Sequence, residues 1–268
     1  MMRKQLDRNA ATRVRVAFLL LSVFTVALAA GAYVIMNFAD LQERMSAAKL
    51  QAELQGITDP KQIDEALRRY PSNKILKMIN AAIKAASETS AAAEQLSRRG
   101  EPPSIAKDID FGRASRDDLE ALRRDLKTAE ANATAFAPHY AVLLKAERDK
   151  LAAFALSLGA DKEVIDRFLD GIDKRHADAG ALADRLSSAR AAYYRAYEKY
   201  VAVLAGEFGA YKVVNGEFSF PLQRTAQRYN AAAEAMTAAA RRMAELEEER
   251  SRLMQSQQAG WAQLVGGR

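Results

Sequence analysis

Residues 211–221, "YKVVNGEFSFP", interrupt a chain that otherwise has helical periodicity, and they decide how its longest predicted helix is connected to its last one. The apolar spacing changes here to every second residue, and Asn215-Gly216 lies in the middle. Asn-Gly is a strong hairpin signal because both central residues of the turn need positive φ. The sequence therefore predicts a small β-hairpin over 211–220, which can act as the turnaround between two antiparallel helices.

One side of the predicted hairpin is apolar, because cross-strand partners share a face and the faces alternate along each strand. This side comprises Tyr211, Val213, Phe218 and Phe220. A two-stranded hairpin is marginally stable alone in water, so the apolar side needs a cover. Either the end of the chain's own helical bundle or a partner protein can supply it. In both cases the tip at Asn215 and Gly216 can be displayed, which makes all six residues candidates for an interaction site.

The segments on either side of the hairpin have the heptad spacing of coiled coils. From Ile165 to Val203 apolar residues follow the heptad rule, with one exception at Arg175, and a second heptad pattern covers 222–258. The chain contains 7% aromatic residues and is rich in alanine, which favours long helices over β-sandwiches. We expect an all-α fold: a single N-terminal transmembrane helix, then an elongated antiparallel helical bundle or coiled coil with one small β-hairpin.

Near the start, "VAFLLLSVFTVALAAGAYVIM" at 16–36 contains no charged residue. At 1.5 Å per residue a helix of this length spans about 31 Å, which matches the roughly 30 Å hydrocarbon core of a bilayer. A cleavable signal peptide is the alternative, with "ALA" at 27–29 as a cleavage site. Its apolar region would be only about 7–15 residues long, so the length favours an uncleaved signal-anchor.

The charges around this segment predict its orientation. The basic residues before it are Arg3, Lys4, Arg8, Arg13 and Arg15. By the positive-inside rule the N-terminus is cytoplasmic, so the C-terminal part lies in the periplasm of a bacterium, anchored in the inner membrane by a single pass. Ala27 and Gly31 form a small-xxx-small pair at which two anchors could touch, so a homo-oligomer is possible.

Composition shifts suggest the domain organisation. Gly100, Pro102 and Pro103 stop helix formation, and Ser115 followed by acidic residues begins a new helix. The predicted segments are a cytoplasmic basic tail (1–15), a transmembrane anchor (16–37), membrane-proximal helices (38–99), a linker or hinge (100–114), a helical coiled-coil bundle (115–258) and a flexible tail (259–268).

Several kinds of chemistry have no support in the sequence. The chain contains no cysteine, which excludes disulfides, thiolate catalysis and cysteine-based zinc sites. His139 and His176 lack metal-ligand spacing, so we expect them to be surface or structural residues, and no catalytic or nucleotide-binding motif is present. We therefore expect no catalytic, cofactor-binding or metal-binding residues, no cofactor and no enzymatic activity.

The basic charge does not indicate a nucleic-acid-binding protein. The whole chain has a formal net charge of +6. About +4 of that charge lies in residues 1–15, and the acidic and basic residues that follow are interspersed. A nucleic-acid-binding protein should instead have a basic stripe on its folded part, so the expected partners do not include nucleic acid.

The segment "VVNGEFSFPLQRTAQRYN", 213–230, resembles the C-terminal part of a small, uncharacterised family of Gram-negative envelope proteins. Those proteins are anchored by a lipid or a single apolar segment and have a mostly helical body. The resemblance implies an envelope location and a similar body, and it implies no activity. Because the chain lacks the cysteine of a lipoprotein, a lipid anchor is not implied.

Two functions follow from these patterns. The first is a structural or accessory subunit of an envelope assembly, which contacts the membrane and other envelope proteins or a second copy of itself. The alternative is a periplasmic sensor-type bundle that binds a small ligand and signals through a partner. For the alternative, the tyrosines at 193, 194, 197 and 200 would line a ligand pocket; otherwise they form an amphipathic edge of the core.

Overall fold

The computed structural model describes residues 60–102, 105, 109–214 and 217–266. Within these ranges, side chains are described from residue 63 to residue 252. Several sequence predictions lie outside the described residues. These are the basic tail, the transmembrane anchor and the start of the membrane-proximal helices, and with them Arg3, Lys4, Arg8, Arg13, Arg15, Ala27, Gly31, Asn215 and Gly216.

The described part is mostly helical, with one small antiparallel hairpin, which confirms the coarse fold prediction. None of its helices has both the length and the apolar character needed to cross a bilayer. In chain order the elements are α1 (Pro60–Arg69), α2 (Lys74–Gly100), α3 (Arg116–Ser157), α4 (Lys162–Gly206), β1 (Lys212–Val214), β2 (Glu217–Ser219) and α5 (Gln223–Gly266).

The hairpin has the register that the Asn-Gly turn predicts. Its cross-strand pairs are Lys212 with Ser219, Val213 with Phe218, and Val214 with Glu217. The two strands form a sheet of their own.

The start of α3 follows the local sequence closely. The backbone N–H of Asp118 donates to Ser115 Oγ at 3.1 Å, and the Ser115 N–H donates to Asp118 Oδ2 at 2.9 Å. This reciprocal pair satisfies two backbone donors at the helix start, as a capping box does. The hydrogen bonds from Ser115 also lower the pKa of the Asp118 carboxyl, because they stabilise its charged form.

The chain divides into two compact units, each made from separate stretches of sequence. Among the described residues, the first unit contains 60–95, 139–181 and 250–266, and the second contains 96–138 and 182–249. The core of the first unit includes Ile79, Leu151 and Phe168, from three different helices, each no more than 1% exposed. The second core is built around Leu122, Leu126 and Leu204, with the hairpin packed against it.

Helix α5 is longer than expected. The heptad pattern predicts an end near residue 258, followed by a flexible tail, whereas α5 continues to Gly266. The segment after 258 contains alanine, glutamine and leucine, which are good helix formers. A single glycine at 260 lowers helix propensity but does not end the helix.

Candidate functional site

Aromatic side chains hold the hairpin on the second unit. The Phe218 ring lies 5.2 Å from that of Tyr211 and 5.4 Å from that of Tyr229, which projects from α5. The Phe220 ring lies 5.0 Å from the Tyr229 ring. Tyr211, Phe218 and Phe220 are half-buried against the core of this unit. Three residues of the predicted apolar face are therefore covered by the chain's own bundle.

Val213 is less well covered than the other three residues of that face. It lies beside the segment before α3, where a Cβ added at Gly112 would be 3.7 Å from its Cγ1. Even so, Val213 remains 40% exposed. The structure therefore brings the four described residues of the predicted site together, but leaves one of them partly open to solvent.

Exposed apolar side chains are concentrated at the hairpin and at the two helix ends that flank it. We define the hairpin-end set as Phe208, Val213, Val214 and Leu222, which are 43%, 40%, 55% and 58% exposed. The other large exposed apolar residues of the described part are Tyr70, Val142 and Leu156. Exposed apolar residues that occur singly need no explanation, whereas several close together are typical of interaction sites.

The tyrosine group forms part of the core edge. The Tyr193 ring lies 5.7 Å from that of Tyr194 and 5.9 Å from that of Tyr197, and the Tyr197 and Tyr200 rings are 6.5 Å apart. Tyr194 and Tyr200 are only 4% and 8% exposed. These rings pack on one another, as expected for an amphipathic edge.

The buried hydroxyl groups of this edge have hydrogen-bond partners. Tyr194 donates to Glu101 Oε1 at 3.0 Å, and the hydroxyls of Tyr200 and Tyr229 lie 3.1 Å apart. Burial raises the pKa of both Tyr194 and Tyr200, so both are neutral at physiological pH. Neither hydroxyl has the lowered pKa that would make it a general base or a nucleophile.

The first unit contains a buried cluster of charged groups that the sequence analysis did not predict. The side chain of Glu147 in α3 is 1% exposed and accepts a hydrogen bond from Arg175 Nη2 in α4. His176 Nε2 lies 3.3 Å from the same carboxylate oxygen. The side chains of Arg175 and His176 are only 12% and 11% exposed. His176 is therefore a structural residue rather than a surface one.

The electrostatics of this cluster favour a charged glutamate. Burial alone would raise the pKa of Glu147, but hydrogen bonds with His176 and Thr89, together with the charge of Arg175, outweigh burial and lower it. The pKa of nearby Tyr140 is raised, first by burial and then by the negative charge of Glu147. The arrangement is a buried ion pair that links α3 and α4 within the first unit.

Comparisons of the chain with protein-family models, with curated proteins and with solved structures produced no match. The resemblance of 213–230 to an envelope family therefore remains a prediction.

Proposed function

We propose that the chain is a non-enzymatic, single-pass inner-membrane protein whose helical body lies in the periplasm, as a structural or accessory interaction subunit of an envelope assembly. The observation that carries this proposal is the hairpin-end set, because four of the large exposed apolar residues of the described part lie in the hairpin or directly beside it, and exposed apolar residues concentrated in one region are typical of interaction sites. The aromatic packing of Phe218 and Phe220 fixes the hairpin, so the set is presented on a supported element.

The membrane part of the proposal is supported by the sequence alone. The uncharged stretch 16–36 has the length of a bilayer span, and the basic residues before it favour a cytoplasmic N-terminus. The proposal includes a transmembrane helix over 16–37 and an elongated antiparallel coiled coil within 115–258. The envelope resemblance of 213–230 supports the same location. The proposed partners are the membrane and other envelope proteins or a second copy, and not nucleic acid.

Ligand sensing is less well supported than interaction. A small-molecule site between helices would need space among the tyrosines, and their rings contact one another there. The hydroxyl groups of Tyr194 and Tyr200 are also bonded to other side chains. These contacts favour a core edge over a ligand pocket.

Affinity purification of the intact tagged protein in detergent tests the proposal. The variant Val214→Ser/Leu222→Ser changes two residues of the hairpin-end set, and Val142→Ser/Leu156→Ser is its control, because both of those residues are 66% exposed in α3. We expect wild type and the control to recover the same specific protein, and the hairpin variant to lose it. Recovery of a partner-free monomer from wild type, or equal recovery by both variants, would contradict the proposal.

A further inference from the structure

We draw no further inference here: the strongest candidate, the open groove on the β-hairpin of the second unit, lined by Val214, Glu217, Phe218 and Ser219, adjoins the hairpin-end set already described, and nothing in the part of the chain that the structure describes shows what covers it.

Discussion

Arg175 in α4 donates a hydrogen bond to Glu147 in α3, where the glutamate side chain is 1% exposed. His176 contacts the same carboxylate. A charge taken out of water costs several kcal/mol unless a well-placed partner neutralises it. The pair therefore links α3 to α4 within the first unit, since a shift of either helix would separate the two charges.

Removing one member of this pair should lower the free energy of unfolding more than removing both members. We expect Arg175→Met to destabilise the protein by about 3–5 kcal/mol, because Glu147 stays buried without the guanidinium charge, with His176 3.3 Å from its carboxylate. The double variant Glu147→Leu/Arg175→Met should recover most of that loss. Denaturant unfolding of the full-length chain, followed by circular dichroism, measures both values.

A surface ion pair provides the control for this experiment. In the ion pair of Arg148 and Asp173, Nε of the arginine lies 2.7 Å from Oδ1 of the aspartate, but the two side chains are 38% and 43% exposed. Arg148→Met should therefore cost less than about 1 kcal/mol. A loss for Arg175→Met no larger than the loss for Arg148→Met would contradict the importance of the buried pair.

The lowered pKa of Glu147 predicts a loss of stability in acid. A carboxyl whose pKa is lower in the folded state contributes stability above its unfolded pKa, about 4.3, and loses it as the pH falls through the folded value. The difference in unfolding free energy between wild type and Glu147→Gln should be largest near neutral pH and shrink below about pH 4. A difference that stays constant down to pH 2 would contradict this prediction.

The packed side of the hairpin should contribute more stability than its exposed side. Phe218 contacts three aromatic rings, including that of Tyr229, so Phe218→Ala should cost about 2 kcal/mol, less than for a fully buried phenylalanine. Val214 is 55% exposed, and Val214→Ala should change stability by no more than about 0.5 kcal/mol. Thermal unfolding compares the two, and equal effects would mean that the hairpin is not held by its aromatic face.

Local patterns were enough to predict the hairpin and the start of α3. The turn residues and the two-residue period predict the register, and Ser115 followed by acidic residues predicts the helix start, because these features depend on neighbours in sequence. The shared face of Tyr211, Phe218 and Phe220 could likewise be predicted, because side chains alternate between the two faces along each strand. The partial exposure of Val213 could not be predicted in this way. It depends on how closely the segment at Gly112, which is distant in sequence, approaches the Val213 side chain.

The buried ion pair could be predicted only in part from the sequence. Arg175 was visible as the exception in the heptad pattern of α4, and a charge at a core position is a sign of a buried partner. Its partner Glu147 lies 28 residues earlier in another helix, and nothing in the local sequence of α3 distinguishes it from an exposed glutamate. The heptad exception was the available signal, and only the packing of the helices identified the partner.

Protease treatment of spheroplasts tests the central claim most directly, with a tag at the C-terminus to follow the chain. If residues 16–37 span the inner membrane with the N-terminus inside, protease added to intact spheroplasts should digest the helical body and remove the tag. A cytoplasmic control protein should survive in the same sample. Survival of the tagged chain until the cells are lysed would contradict the proposed topology and, with it, the proposed periplasmic function.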